Sequence, residues 1–156
     1  MCKLSWSVSG LLFVALIAVV YKFMIAGTVI PASDGREALL LEPGERDMIL
    51  SEMRIFLASV QAITDGVSND DMNKVAEAAR SVGAAAQQEV PASLIGKLPL
   101  SFKKLGFDTH RQFDMLALDA EQLGDREHSL KQLSSLMNNC VACHASYRID
   151  AVTAIN

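Results

Sequence analysis

Residues 138–148 read "NNCVACHASYR", and this run holds two of the chain's three cysteines with a histidine directly after the second. The pattern leading into it is helical. From about Arg126, the positions Leu130, Leu133, Leu136 or Met137, Cys140, His144 and Tyr147 recur mostly at three- and four-residue steps. Cys140 and Cys143 therefore sit near the C-terminal end of the last helix, one turn apart on one face. That placement weighs against a redox-active cysteine pair, which needs a thiol pKa depressed by a helix N-terminus; the carbonyl end of the dipole acts in the opposite direction. A structural zinc site would need a fourth ligand from His110 or His128, and the adjacent Cys143 and His144 point in different directions. Chance production of three fixed rare residues in a chain this short is improbable. Covalent haem attachment is the chemistry that uses C-x-x-C-H. The two thiols add across the haem vinyl groups, and the next residue's imidazole reaches the iron from one face.

The other end of the chain supports this reading independently. Gly10–Val20 contains no polar side chain, and only Lys22 interrupts the apolar character before Ala26. The unbroken run suits a signal sequence, while Leu4–Ala26 is long enough to cross a membrane with Trp6 and Tyr21 as interfacial anchors. Small residues at A-x-A spacing are poorly matched after it, which favours an uncleaved anchor over a removed signal. Cys2 precedes the apolar run and fits a lipid anchor badly. Either reading exports the rest of the chain, and exported chains are where bacterial c-type haem is attached. A periplasmic location follows, with the chain tethered to the inner membrane by residues 4–26.

The chain has 156 residues and a net charge of −4, enough for one domain and the wrong sign for general phosphate-backbone binding. Residues 1–27 are taken as the anchor or signal segment, 28–43 as a linker containing Pro31, Gly35 and Pro43, and 44–156 as the folded domain. No alternating strand pattern is visible. A first helix from about Pro43 carries the seam Ile49, Met53, Phe56, Val60 and Ile63 and stops at Asp65-Gly66. A second starts after Ser68, whose spacing to Asp71 resembles a capping box, and carries Met72, Val75, Ala79, Val82 and Ala86. Val90–Asp108, broken by two prolines and two glycines, reads as a long connection with a short helix around Ser101–Leu105. A third helix opens at Thr109 with Phe113, Leu116, Ala117, Ala120 and Leu123 inward, and closes at Gly124. The economical fold is all-α, an antiparallel four-helix bundle behind an N-terminal membrane-spanning or signal-anchor helix.

A C-terminal C-x-x-C-H on the last helix of such a bundle, followed by Tyr147 and Arg148, resembles the cytochrome c prime family, the class II cytochromes c. The likeness covers about residues 44–150. It implies one covalent haem c on Cys140 and Cys143, His144 as proximal iron ligand and Arg148 near the haem propionates. It also implies either of two activities. A methionine on the first helix makes the haem six-coordinate and suited to one-electron transfer; an aliphatic residue there leaves an open face that binds nitric oxide or carbon monoxide. Geometry offers Met53, at the centre of the seam, as distal ligand. Met48 lies about 140° away around the helix, and the family's spacing from Arg46 points to Leu50. His110 and Phe113 are further candidates, although His110 is expected to be exposed beside the cap of its helix and His128 at the surface. No acid/base or nucleophile constellation suggests an enzyme. Expected partners are membrane or periplasmic redox proteins, which the mixed-charge surface around Lys97, Lys103, Lys104 and Arg111 would meet, and a second copy of the chain, since relatives often dimerise.

Overall fold

The computed structural model describes residues 2–152. It is mostly helical, with an N-terminal apolar helix and a small three-stranded sheet. Helix α1 (Cys2–Val20) runs into a wider π-helical turn over Tyr21–Ala26. Trp6–Ala26 is long and apolar enough to be a membrane anchor or a signal sequence, with mean hydropathy 2.3 and no part of it buried. Met1, residues 153–156 and the Cys2 side chain lie outside what is described.

The end of this helix is fastened to the rest of the chain. Gly27, at φ 66°, comes so close to the backbone of residues 97–99 that a Cβ would lie 2.5 Å from the Lys97 carbonyl oxygen, so only glycine fits. The Thr28 amide donates to that same carbonyl at 2.6 Å. Two lysines satisfy carbonyls that a helix end leaves without partners. Lys22 Nζ donates to the Gly27 oxygen at 2.7 Å, and Lys103 Nζ donates to the Phe23 oxygen at 3.1 Å.

Residues 28–43 do not form a linker. Strands β1 (Val29–Pro31) and β2 (Glu37–Leu41) make an antiparallel hairpin, and β3 (Tyr147–Ala151) adds to β2 in parallel. The hairpin turns at Gly35, φ 84°, and Pro31 sits on an edge strand, where a missing amide donor does least harm. The central strand explains why no alternation was visible: Ala38, Leu39 and Leu41 are all buried, so both faces are covered and the sequence reads as a continuous apolar run.

Helix α2 (Pro43–Ser68) begins where expected, with Pro43 in its first turn and a capping box between Glu42 and Glu45. Helix α3 (Met72–Arg80) is shorter than its periodicity suggested and is capped by Asp71, which accepts from the Lys74 amide at 3.0 Å; the Ser68 hydroxyl instead bonds back to Thr64. A short helix α4 (Ala92–Lys97) occupies the long connection, so it lies before Ser101–Leu105 rather than on it. Helix α5 (Leu100–Leu123) starts two turns earlier than Thr109. Thr109 bonds the Leu105 carbonyl at 2.8 Å from inside the helix, and Gly106 is carried through without a break. Helix α6 (Arg126–Ser146) is capped by Asp125, which accepts from the amides of Glu127 and His128. Packing runs α2 on α3, α3 on α5, α5 on α6 and α6 on α2.

Two apolar clusters result. The first joins the helices through Phe56, Ile63, Val75, Ala79, Phe113, Leu116, Leu133 and Leu136 among others. The second joins the sheet to α4 and the near ends of α2 and α5 through Leu39, Leu41, Ile49, Leu94, Leu98, Phe102 and Tyr147.

Candidate functional site

The last turns of α6 and the strand that follows carry the cysteine pair. Both cysteines are free and half-buried. Cys140 packs against the helical cluster and Cys143 against the sheet cluster. Met53 packs against both. Met53 and the cysteine pair thus each border the boundary between the two cores. Leu50, one turn before Met53, is also half-buried, and Met48 is exposed.

Burial pushes the Cys140 thiol above its ordinary pKa. Burial, reinforced by the neighbouring Cys140, pushes Cys143 up to about 11. Both are neutral thiols at physiological pH, unlike the thiolate of a redox-active pair. The zinc alternative loses its fourth ligand. His128 lies sixteen residues before His144, about 24 Å along the helix, and its Nε2 is 3.0 Å from Asp119. Among the described residues no three His, Cys, Asp or Glu side chains converge.

His110 is corrected from exposed to buried, at 3 % exposure. Its Nδ1 lies 2.8 Å from the Val82 carbonyl and its Nε2 3.3 Å from Glu52, with the ring 4.9 Å from that of Phe56. Both ring nitrogens are engaged, so it has no lone pair free for iron. Phe113 is fully buried in the helical cluster.

His144 is exposed, and its ring has no hydrogen-bond or ion-pair partner among the described residues. Arg36 Nη1 donates to its main-chain carbonyl at 3.3 Å and to the Tyr147 carbonyl at 3.3 Å. Arg36 belongs to the β1–β2 turn, where Asp34 takes its Nε and Nη2. The Arg36 guanidinium beside Asp34 holds that carboxyl down at about 2. Sequence reasoning missed Arg36 because the turn was taken for a tether; the signal available was "SDGR", an Asx-Gly turn followed by a cation. Arg148 is held in β3 between Asp150, at 3.0 Å, and Asp34, at 3.4 Å. Tyr147 is buried, edge-on to Phe102 at 5.4 Å, with its hydroxyl against Ser101.

The donor set suits a haem. Two unpaired thiols stand one helical turn apart, an uncommitted imidazole follows, and a thioether sulfur comes from the facing helix. Apolar side chains stand exposed on the same two helices, Met137 and Val141 on α6 and Leu57 on α2. No family model, curated protein or solved structure matches the chain.

Proposed function

We propose that the chain is a membrane-tethered, periplasm-facing c-type cytochrome with one covalent haem, working in one-electron transfer rather than as an enzyme. Its domain would be an antiparallel four-helix bundle of α2, α3, α5 and α6, as in the cytochrome c prime family. The observation that carries the reading is the C-x-x-C-H run Cys140–His144 placed, with Met53 of α2, along the boundary of the two cores. Bound there, haem c supplies a ferric/ferrous couple.

The residues divide the remaining work. Cys140 and Cys143 hold the group by thioether bonds. His144 offers an imidazole nitrogen as proximal ligand, and Arg36 fixes the backbone that carries it. Met53 offers its sulfur from the opposite helix, and the two clusters behind it keep water from that face. Arg148 would give up part of its pairing with Asp34 and Asp150 to meet a propionate. Leu50 shares the inward side of α2 with Met53, so the five-coordinate alternative, an open site that binds nitric oxide or carbon monoxide, remains chemically coherent.

The visible spectrum of the reduced, purified chain decides between them. A sharp low-spin spectrum indifferent to carbon monoxide is expected, and Met53→Ala should make it high-spin and gas-sensitive. A broad spectrum that already shifts with the gas would favour Leu50. Loss of all colour on unfolding and acid–acetone extraction would defeat both, because thioether-linked haem survives that treatment.

A further inference from the structure

We propose that the cavity between α2, α4 and α5 binds a quinone drawn from the bilayer. The inference rests on reading α1 as a membrane span. The cavity measures about 640 Å³, within the usual range for small-molecule sites, and Cys140, Cys143 and His144 do not line it. Ile49, Phe56, Leu94, Leu98 and Phe102 are its buried apolar walls, while Met48, Ile55 and Phe107 stand exposed at its mouth.

Two polar poles interrupt this lining. The first is Lys103, only 8 % exposed, whose ammonium has the Phe23 carbonyl as its single partner among the described residues. An ammonium carries three N–H donors, so two find no partner among the described residues, and a ligand oxygen could answer one of them. The second is the His110–Glu52 pair, which bridges α5 and α2 two turns further along α5. Aromatic walls with separate polar poles suit a flat ring bearing oxygens on opposite edges. A carboxylate headgroup could pair with Lys103 alone, and competition with palmitate separates that ligand from a quinone.

The source of the ligand follows from the same lysine. Lys103 bonds the last turn of the apolar helix, and a Cβ on Gly96, next to the cavity residue Ile95, would lie 3.3 Å from the Phe23 ring. With α1 in a bilayer, the cavity lies at the level where the helix leaves the lipid. A molecule with an isoprenoid tail could then reach the cavity without leaving the membrane surface.

Gly106 makes the site testable without damaging the fold. It lines the cavity, and a Cβ there meets nothing within 4 Å. Leucine is also the better helix former, so Gly106→Leu should fill the space and keep the melting temperature. The assay is equilibrium dialysis of the full chain in nanodiscs against decylubiquinone, with palmitate as competitor. Saturable binding is expected, weakened at least about tenfold by Gly106→Leu and by Lys103→Met, and resistant to palmitate. Binding unchanged in Gly106→Leu, or displaced equally by palmitate, would overturn the assignment. Carbonate extraction of membranes tests the span separately. Quinone binding by a chain that washes off would leave the cavity standing and remove the bilayer route. No binding by a chain that stays would remove the cavity and leave the anchor.

Discussion

The two apolar clusters are built from the same kinds of side chain and are put together by opposite means. In the first, Phe56, Ile63, Val75, Leu116 and Leu133 meet because helices present one face every three or four residues. In the second, Leu39 and Leu41 meet Tyr147 and Ile149 because β2 pairs with a strand more than a hundred residues later. Local periodicity makes the first core; a long-range ladder makes the second. The cysteine pair straddles the boundary, with Cys140 on one side and Cys143 on the other. Chemistry placed there depends on both kinds of order at once.

The sharpest way to break this comparison is to empty one core at a time. Phe113 is fully buried and stacks on Phe56 at 5.5 Å. Phe113→Ala should cost about 4 kcal/mol and shift the urea midpoint of the whole domain. Leu39 is equally buried, but in the sheet. Leu39→Ala should cost about 3 kcal/mol, with the loss concentrated differently: amide exchange over β3 and the last turn of α6 should accelerate before the helical core opens. Equal acceleration throughout would mean that the two clusters unfold as one.

The same contrast explains how much was legible. The start of α2, its seam, the inward face of α5 from Phe113 to Ala120 and the span of α6 could all be read, because each depends on residues within a few turns. Leu123, expected inward, is instead exposed at the end of α5. Leu136, rather than Met137, faces the core. What could not be read depended on distant partners. "EALLLEP" looked like part of a tether because a strand buried on both faces shows no alternation. Gly106 and Thr109 looked like a break and a cap, but packing of α5 against α3 and α6 carries the helix through them. His110 looked exposed because the 81–83 backbone that covers it is far away in sequence. At the candidate site the helical positions of Cys140, Cys143, His144 and Met53 follow from periodicity, whereas the contact of Arg36 with the end of α6 depends on a distant turn.

His110 links the helical cluster to the connection that leads toward the second one, and its charge makes that link pH-dependent. Burial works against the protonated ring, but Glu52 and the carbonyls of Val82 and Gly83 outweigh it and raise the pKa above the ordinary value. A raised folded-state pKa means that the stabilisation is complete below the unfolded value of about 6.5 and is lost as pH rises through the folded one. The melting temperature should therefore fall on going from mildly acidic to mildly alkaline buffer. His110→Gln should flatten that slope. An unchanged slope would assign the dependence to other groups.

The smallest effect belongs to Arg36, and it separates stability from site geometry. Its guanidinium is partly exposed and makes two carbonyl hydrogen bonds near the upper distance limit. Arg36→Ala should thus cost only about 1 kcal/mol of global stability. Those carbonyls belong to His144 and Tyr147, where α6 hands over to β3, and without the cation they are left to water. The expected signature is local: faster amide exchange at residues 144–148 with the urea midpoint almost unchanged. Acid should reproduce it in the wild type. The depressed Asp34 carboxylate stabilises the turn above its unfolded pKa of about 3.8, and that support fades as pH falls through about 2. If Arg36→Ala instead moved the global midpoint as far as Leu39→Ala, the turn would be part of the second core rather than a brace laid over its edge.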